Sequence, residues 1–433
     1  MNRIEAENFV YKSYLKAEKY QDYNAKDSKK RNPNLSKEII RTKAKTPCVL
    51  VTGSKGKGST ANMVSQILQS KYKVGLMTSP HISNFCERFK INGVNISDDD
   101  FAKYMTMIQP EIDDIDSKIP KNICISPMGI QTDLGLTFFN DQHTEFNVLE
   151  CGKGARYDDV NNAVHQYAII NSIFLEHKRE LGNTLEAIAE DKSYVINGEQ
   201  KCIYIAEQSD NVINVIKKRA DKFSTPIKIY GKDFKAINIR YTNNGMNFDV
   251  IIGNKIYKNI MIPLMGEHQA RNCALAMAFC KDVLGDFDVE IVKDKLAKID
   301  WPGRMEIISK DPFIMLDACI NSASCINVKN VLKKLKIENP TVIIGIPNDK
   351  DYAGVIKAMS EVSNNIILTN SQNPHYVFTN EQCKNMDAKG IKTIWTDSVD
   401  KAIDKAREKE LPIIILGTTS VVSKVKEYQF KNL

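Results

Sequence analysis

The sequence predicts an α/β protein in two parts: a large domain on a mainly parallel sheet with a small antiparallel meander, then a smaller doubly wound domain. Three observations carry that prediction. From Pro47 to about Ile196, short apolar runs of strand type alternate with segments of helical period, the order that builds a parallel sheet covered by helices. Between residues 227 and 262 the period changes to 2, with turn residues between the runs. From Phe313 onward the alternation of strand and helix resumes.

Residues 1–45 are polar and helical in part, with a break at Asn32-Pro33-Asn34 before a short helix. The strands expected next are Cys48–Val51, Val74–Met77, Phe146–Glu150, Ala168–Ile173 and Cys202–Ile205, with helical segments at Ser59–Ser70, Asp98–Ile108 and Leu185–Ile196. The meander takes Ala236–Tyr241, Met246–Ile252 and Lys255–Met261, turning at Asn243-Asn244-Gly245 and Gly253-Asn254. His268–Leu284 is an alanine-rich helix, and Trp301-Pro302-Gly303 marks the boundary between domains of residues 1–299 and 300–433. The second domain places strands at Phe313–Leu316, Thr341–Gly345, Asn365–Leu368, Thr393–Thr396 and Pro412–Leu416.

Composition narrows the function classes. With 42% hydrophobic and 26% charged residues the chain has the balance of an ordinary globular protein. The net charge of +7 is spread out, and its densest basic run, Lys29-Lys30-Arg31 after Asp27-Ser28, reads as a solvated helix end or loop rather than a nucleic-acid arm. Ten scattered cysteines without a Cys-x-x-Cys pair argue against a structural zinc site and a disulfide scaffold. There is no apolar signal region, and no apolar run reaches the roughly 18 residues of a membrane span. The expected compartment is the cytoplasm, with neither a nucleic acid nor a membrane as partner.

The run Gly53-Ser54-Lys55-Gly56-Lys57-Gly58-Ser59-Thr60 lies between a strand and a helix whose apolar face holds Met63, Val64, Ile67 and Leu68. That order aims several backbone N–H groups and the positive end of a helix dipole at one point, as a triphosphate requires. Gly53, Gly56 and Gly58 allow close approach, Lys57 reaches the outer phosphates, and the Ser59 hydroxyl stands near magnesium. The spacing departs from the common P-loop, since two residues separate the first glycines and Gly58 intervenes before Ser59. A glycine-rich surface turn is the bland alternative.

Four further clusters sit at strand or helix ends. Thr78-Ser79-Pro80-His81, with Glu87-Arg88 and Asn92-Gly93, follows a parallel strand, although Ser-Pro alone reads as a turn. Glu150, opening Glu150-Cys151-Gly152-Lys153-Gly154-Ala155-Arg156-Tyr157-Asp158, is either a magnesium partner or a solubilising charge at a strand end. Glu176-His177 closes another apolar run, where the histidine is a structural residue or a ligand. Lys192, among Glu190, Asp191 and Glu186, reads by itself as a surface ion pair on a helix.

Taken in order, these motifs resemble the Mur ligase superfamily in its folylpolyglutamate synthase / dihydrofolate synthase branch, from about residue 48 to 425. The phosphate loop resembles the family's Gly-Thr-Asn-Gly-Lys-Gly-Ser, and the Glu150–Asp158 run with Asn161 is similar to Glu-x-Gly-x-Gly-Gly-Arg-x-Asp-x-x-Asn. Leu181–Lys192, Gly266-x-His268-Gln269-x-x-Asn272, Trp301-Pro302-Gly303-Arg304-x-Glu306 and Asp349-Lys350-Asp351 continue the series. The resemblance implies a P-loop central domain and a Rossmann-like C-terminal domain. It also implies an ATP-dependent ligase that activates a carboxylate as an acyl phosphate and joins it to an amino-acid amine, most simply a folate and glutamate. By the same resemblance Lys57, Lys192, His177 and Glu150 are catalytic. Gly53, Ser54, Gly56, Lys57, Gly58, Ser59, Thr60, Asn272, Arg304 and Asp317 bind ATP. Ser59 holds the nucleotide's magnesium, and Ser79, Glu150 and His177 a further magnesium. Lys192 matches a lysine that the family often carbamylates, Arg304 and Asp317 come from the second domain so that the domains close before chemistry, and the expected state is a monomer.

Some positions depart from the pattern. Glu176 stands where the family has Asp, and Leu-Asp-Gly-Ala-His-Asn reads Leu316-Asp317-Ala318-Cys319-Ile320-Asn321. Gly417-Thr418 replaces Gly-Ser, Pro374-His375 replaces Pro-Arg, and Ile130-Gln131-Thr132-Asp133 fits the pterin-side pattern poorly. Drift at tolerant positions and a changed acid or amine both explain these differences. A nucleotide-binding protein without turnover is the other class, and the retained Lys57, Glu150, His177 and Lys192 argue against it.

Overall fold

The computed structural model describes residues 1–18, 32–120, 123–242, 244–373 and 376–428; the Asp27–Arg31 run, Asn243 and Pro374-His375 lie outside the described residues. Strands β1 (Cys48–Thr52), β2 (Val74–Met77), β3 (Phe89–Ile91), β4 (Val94–Asn95), β5 (Phe146–Glu150), β6 (Tyr167–Ile170), β7 (Cys202–Ile205) and β8 (Ile227–Ile229) form one sheet in the order β4-β3-β2-β5-β1-β6-β7-β8. Pairing is parallel from β2 to β8, while β3 and β4 add an antiparallel edge.

All five residues of β1 are buried, because crossover helices cover both faces of its strand. Cys48 and Leu50 join a cluster with Phe101, Tyr104, Leu134 and Phe139 from the helices Asp98–Lys118 and Pro127–Asp141. The opposite face is covered by the helices Lys57–Leu68 and Glu267–Leu284, where the Phe279 ring meets Phe146, Tyr167 and Tyr204 edge-on.

The meander follows as β9 (Phe234–Thr242), β10 (Gly245–Ile252) and β11 (Lys255–Ile262), a three-stranded sheet in the order β11-β10-β9. A third sheet contains β12 (Glu306–Lys310), β13 (Phe313–Asp317), β14 (Thr341–Gly345), β15 (Asn365–Leu368), β16 (Ile394–Trp395) and β17 (Ile413–Gly417) in the order β12-β13-β17-β14-β15-β16. Only the β12–β13 pair in it is antiparallel. The described residues divide into two compact units. One comprises Met1–Ile237, Asp249–Lys258 and Arg271–Leu296; the other comprises Asn238–Phe248, Asn259–Ala270 and Ala297–Leu433. No described helix is long and apolar enough to cross a membrane.

Several boundaries differ from the sequence expectation for identifiable reasons. The expected strand Ala168–Ile173 stops at Ile170, because Asn171 turns its side chain toward Thr60 and Asn272 while the Ile173 N–H goes to the Gln208 side chain. The helix expected to end at Ile108 runs on to Lys118 through Pro110. Pro127–Asp141, for which no helix is expected, is a helix capped by Ser126, whose hydroxyl accepts the Gly129 N–H.

Candidate functional site

Parallel strands bring the ends of β1, β2, β5 and β6 to one edge of the large sheet, where open α/β sheets hold their ligands. The phosphate loop follows β1, Ser79 follows β2, Glu150 ends β5, and Glu176-His177 lies beyond β6. The topology thus brings four of the sequence motifs together.

The loop is shaped by what lies beneath it. Gly53 has φ +135°, and a Cβ there would lie 2.6 Å from the Cβ of Asn171. Gly56, with φ +83°, caps the Lys57–Leu68 helix, and its Cβ would come within 2.9 Å of the Asn272 amide. Neither position admits a side chain. The N–H groups of Lys57 and Gly58 open the helix and have no intrahelical acceptor, so they face the loop as anion donors. Ser54 is fixed from behind, its N–H on the Ser172 carbonyl (2.9 Å) and its hydroxyl on Phe174 O (3.2 Å). Ser59 and Thr60 are buried in the first turn.

Two lysines converge on this loop. Lys57 Nζ donates to the Gly53 carbonyl at 3.2 Å, and Lys192 Nζ to the same oxygen at 2.7 Å. Lys192 is 1% exposed and pairs with Glu176 Oε1 at 3.0 Å. The surface ion pair that its helical neighbours suggest is therefore a buried one with a distant residue. Burial, followed by the charge of Lys57, pulls the Lys192 pKa below the usual lysine value. The adjacent Asp191 anchors this region by accepting the Ala155 N–H (2.8 Å) and the Arg156 N–H (3.3 Å).

Opposite the loop, the Ser79 N–H donates to Glu150 Oε2 at 2.9 Å, which ties the end of β2 to the end of β5. Glu150 is 4% exposed. His177 has φ +43° and heads the short helix Lys178–Leu181; burial, then Lys153, depress its pKa and favour the neutral ring that a metal ligand must be. Ser59, Ser79 and Glu150 are hard oxygen donors of the kind magnesium takes. Among the described residues no three His, Cys, Asp or Glu side chains come together as a metal cluster, so such an ion would depend on these hydroxyls and on substrate oxygens.

In the segment after β2, Glu87 accepts the N–H groups of Ile82, Ser83 and Asn84. Arg88 donates to His81 Nδ1 (2.9 Å) and to Gln131 Oε1 (2.6 Å). Gln131, from the segment that fits the family pattern poorly, thus supports Arg88 with a neutral acceptor. Burial and the neighbouring Arg88 push His81 down to about 4, so it is neutral at physiological pH.

Arg304 and Asp317 lie in the second unit. Asp317 Oδ2 accepts the Met305 N–H at 2.9 Å, and Arg304 Nη1 donates to Gly303 O at 3.1 Å. One residue that sequence reasoning overlooks stands out in the first unit. Asn171 donates from Nδ2 to Thr60 Oγ1 (2.8 Å) and to Asn272 Oδ1 (3.2 Å), while its own Oδ1 is buried with no hydrogen-bond partner among the described residues. The available signal was an asparagine interrupting the apolar run before Glu176. Asn171 orients Asn272, which the resemblance assigns to the nucleotide, and on that assignment Asn171→Ala should weaken ADP binding about tenfold in calorimetric titration. It should add little to Asn272→Ala in a double-mutant cycle, whereas additive losses would separate the two residues.

Residues 51–280, more than half of the chain, match the Mur ligase middle domain. The dihydrofolate synthase/folylpolyglutamate synthase of Bacillus subtilis (strain 168) is 26% identical over 388 residues, covering 87% of this chain and 89% of that protein. The folylpolyglutamate synthase of Lacticaseibacillus casei is 25% identical, covering 87% and 88%. Among solved structures, Mycobacterium tuberculosis folylpolyglutamate synthase complexed with ADP superposes with a TM-score of 0.85 at 21% identity, covering 98% of each chain. That likeness shows the two-domain fold.

Proposed function

The chain belongs to the Mur ligase family, and from that premise we propose that it is an ATP-dependent, ADP-forming ligase that joins a folate-type carboxylate to the amine of glutamate. The observation that carries this reading is the convergence of Lys57 and Lys192 on the Gly53 carbonyl, inside the matched segment. One relative named for both dihydrofolate and folylpolyglutamate synthesis, and another named for folylpolyglutamate synthesis, support the substrate pair.

A carboxylate is a poor acylating agent, so the first step transfers the γ-phosphoryl group of ATP to its oxygen and releases ADP. The amine nitrogen then attacks the acyl carbon, phosphate leaves, and the nitrogen loses a proton as the amide forms. The protein's task is positioning and charge neutralisation. The loop N–H groups and Lys57 bind the triphosphate, and Asn272 binds the rest of the nucleotide. Ser59, Ser79, Glu150 and His177 would hold magnesium, which supplies neutralisation of phosphate charge. Lys192 would become a carbamate by losing one proton from its ammonium, adding carbon dioxide at Nζ and releasing a second proton, and burial, which lowers its pKa, favours the first of these losses.

The test is ADP release with magnesium across dihydropteroate, tetrahydrofolate and non-pterin acids, each crossed with a panel of amino acids. Turnover that requires a pteroate or folate together with glutamate supports the reading. Turnover with another pair assigns the same machinery to a different acid or amine and gives Ile320 and Gln131 a role in that change.

A further inference from the structure

Tyr194 lies in the turn Ser193–Val195, two residues past Lys192. Two guanidinium groups rest on its ring, that of Arg219 with Cζ 3.7 Å from the centroid and that of Arg156 at 4.6 Å. Arg219 belongs to the helix Asp210–Lys222, and its Nε is fixed on Ile196 O at 2.9 Å. Arg156 belongs to the loop after β5, whose backbone Asp191 holds, and it also lies 5.3 Å from the Tyr157 ring. Three separate segments of the chain therefore build one cluster, joined to Lys192 through the two residues that separate it from Tyr194.

Its charge is only partly offset. Neither guanidinium pairs with a carboxylate among the described residues. Asp191 is taken up by two backbone N–H groups, Glu199 pairs with Arg41, and Glu190 acts on Arg219 only after burial, Tyr194 and Arg156. Two adjacent cations with no carboxylate paired to either repel, Glu190 offsets this only in part, and an anion recovers that energy. Stacking on an aromatic face holds a guanidinium flat while its edge donors remain directed outward, in the fork that matches carboxylates.

We propose that the Arg156–Tyr194–Arg219 cluster binds the carboxylates of a glutamyl chain already attached to the acid substrate. This rests on the ligase reading above. Each cycle consumes one carboxylate of the acid and one amine of glutamate but brings in two carboxylates. The substrate therefore gains one negative charge per cycle. The chain end that reacts must reach Lys57 and Lys192, so the earlier carboxylates trail away from the loop, and the cluster lies two residues from Lys192.

The experiment measures KM for mono-, tri- and pentaglutamyl folates, and titrates free γ-linked pentaglutamate into the protein by calorimetry. Arg219→Gln keeps an amide donor for Ile196 O while removing the charge, and Arg156→Gln is its counterpart. In each variant the KM for the pentaglutamyl substrate should rise about tenfold relative to that for the monoglutamyl one, with a similar loss of affinity for the free peptide. An unchanged KM ratio and unchanged peptide affinity would overturn the proposal. Wild-type affinity for α-linked pentaglutamate equal to that for the γ-linked peptide would also overturn it, by revealing an acidic-peptide surface without regard to linkage. If no folate is turned over, the substrate reading itself fails, and the peptide titration still decides whether the cluster binds a γ-glutamyl chain.

Discussion

Lys57→Ala should lower kcat/KM for ATP-dependent amide formation by about 10³-fold with little change in melting temperature. The Lys57 side chain is half-buried and its hydrogen bond among the described residues is the 3.2 Å contact with Gly53 O, so its removal costs the fold little. Its value to a bound nucleotide is larger. A triphosphate passing a phosphoryl group develops charge on its bridging oxygen, and Lys57 stands at the loop that would carry it. The loop already concentrates positive charge without ligand, since Lys57 and Lys192 share one carbonyl and the charge of Lys57 depresses Lys192. His177→Ala should likewise suppress ADP release while leaving a folded protein. Persistent ATP consumption in both variants would show that the loop and the residues beyond β6 are not the reactive centre.

The sequence made the loop legible because its information is local. A strand, three glycines, a lysine and a hydroxyl within a dozen residues specify one geometry, and the structure reproduces it with Gly53 and Gly56 at positive φ. Lys192 was harder to read. Its burial depends on a contact with Gly53 across 139 positions, and helical periodicity does not say which helix face meets a distant loop. For the same reason the sequence alone suggested an ordinary surface pair, and only the ordered series of motifs marked the lysine out. Asn171 was hidden because two polar residues, Asn171 and Ser172, near the end of Ala168–Ile173 read as the close of a strand rather than as a site. Its role arises from Thr60 and Asn272, which approach the end of β6 from two helices.

Local signals were also present but outweighed. Ser126-Pro127 is a good helix start, with a capping hydroxyl and a proline in the first turn, yet Gly129 and Gly135 lower the helical propensity of the segment. Tertiary packing decides it, because Gly135 lies against the Phe89 ring. A helix predicted from propensity alone would fail there, whereas one predicted from its caps would succeed.

The helix Pro127–Asp141 also carries the largest expected stability effect. Asp133 is fully buried, its Oδ2 has no hydrogen-bond partner among the described residues, and its Oδ1 is paired with Lys43, which also reaches Glu111 at 2.7 Å. Burial raises Asp133 from 3.8 to about 6, against the opposing pull of Lys43. Between those two values the folded state binds more protons than the unfolded state. Unfolding free energy therefore falls as pH rises through that window, by about 3 kcal/mol from this group. Lys43→Met leaves the carboxylate buried without its cation and should destabilise the protein by about 3–5 kcal/mol at pH 8. The loss should be smaller at pH 5, where the acid is protonated and no uncompensated charge remains. Urea unfolding of wild type, Lys43→Met and Asp133→Asn at both pH values checks this, with Asp133→Asn flattening the slope between pH 4 and 6. Because the same helix presents Gln131 to Arg88, Lys43→Met should also loosen the Arg88–His81 contact. A Lys43→Met protein as stable at pH 8 as at pH 5 would mean that Asp133 is solvated and that this helix is not pinned by charge.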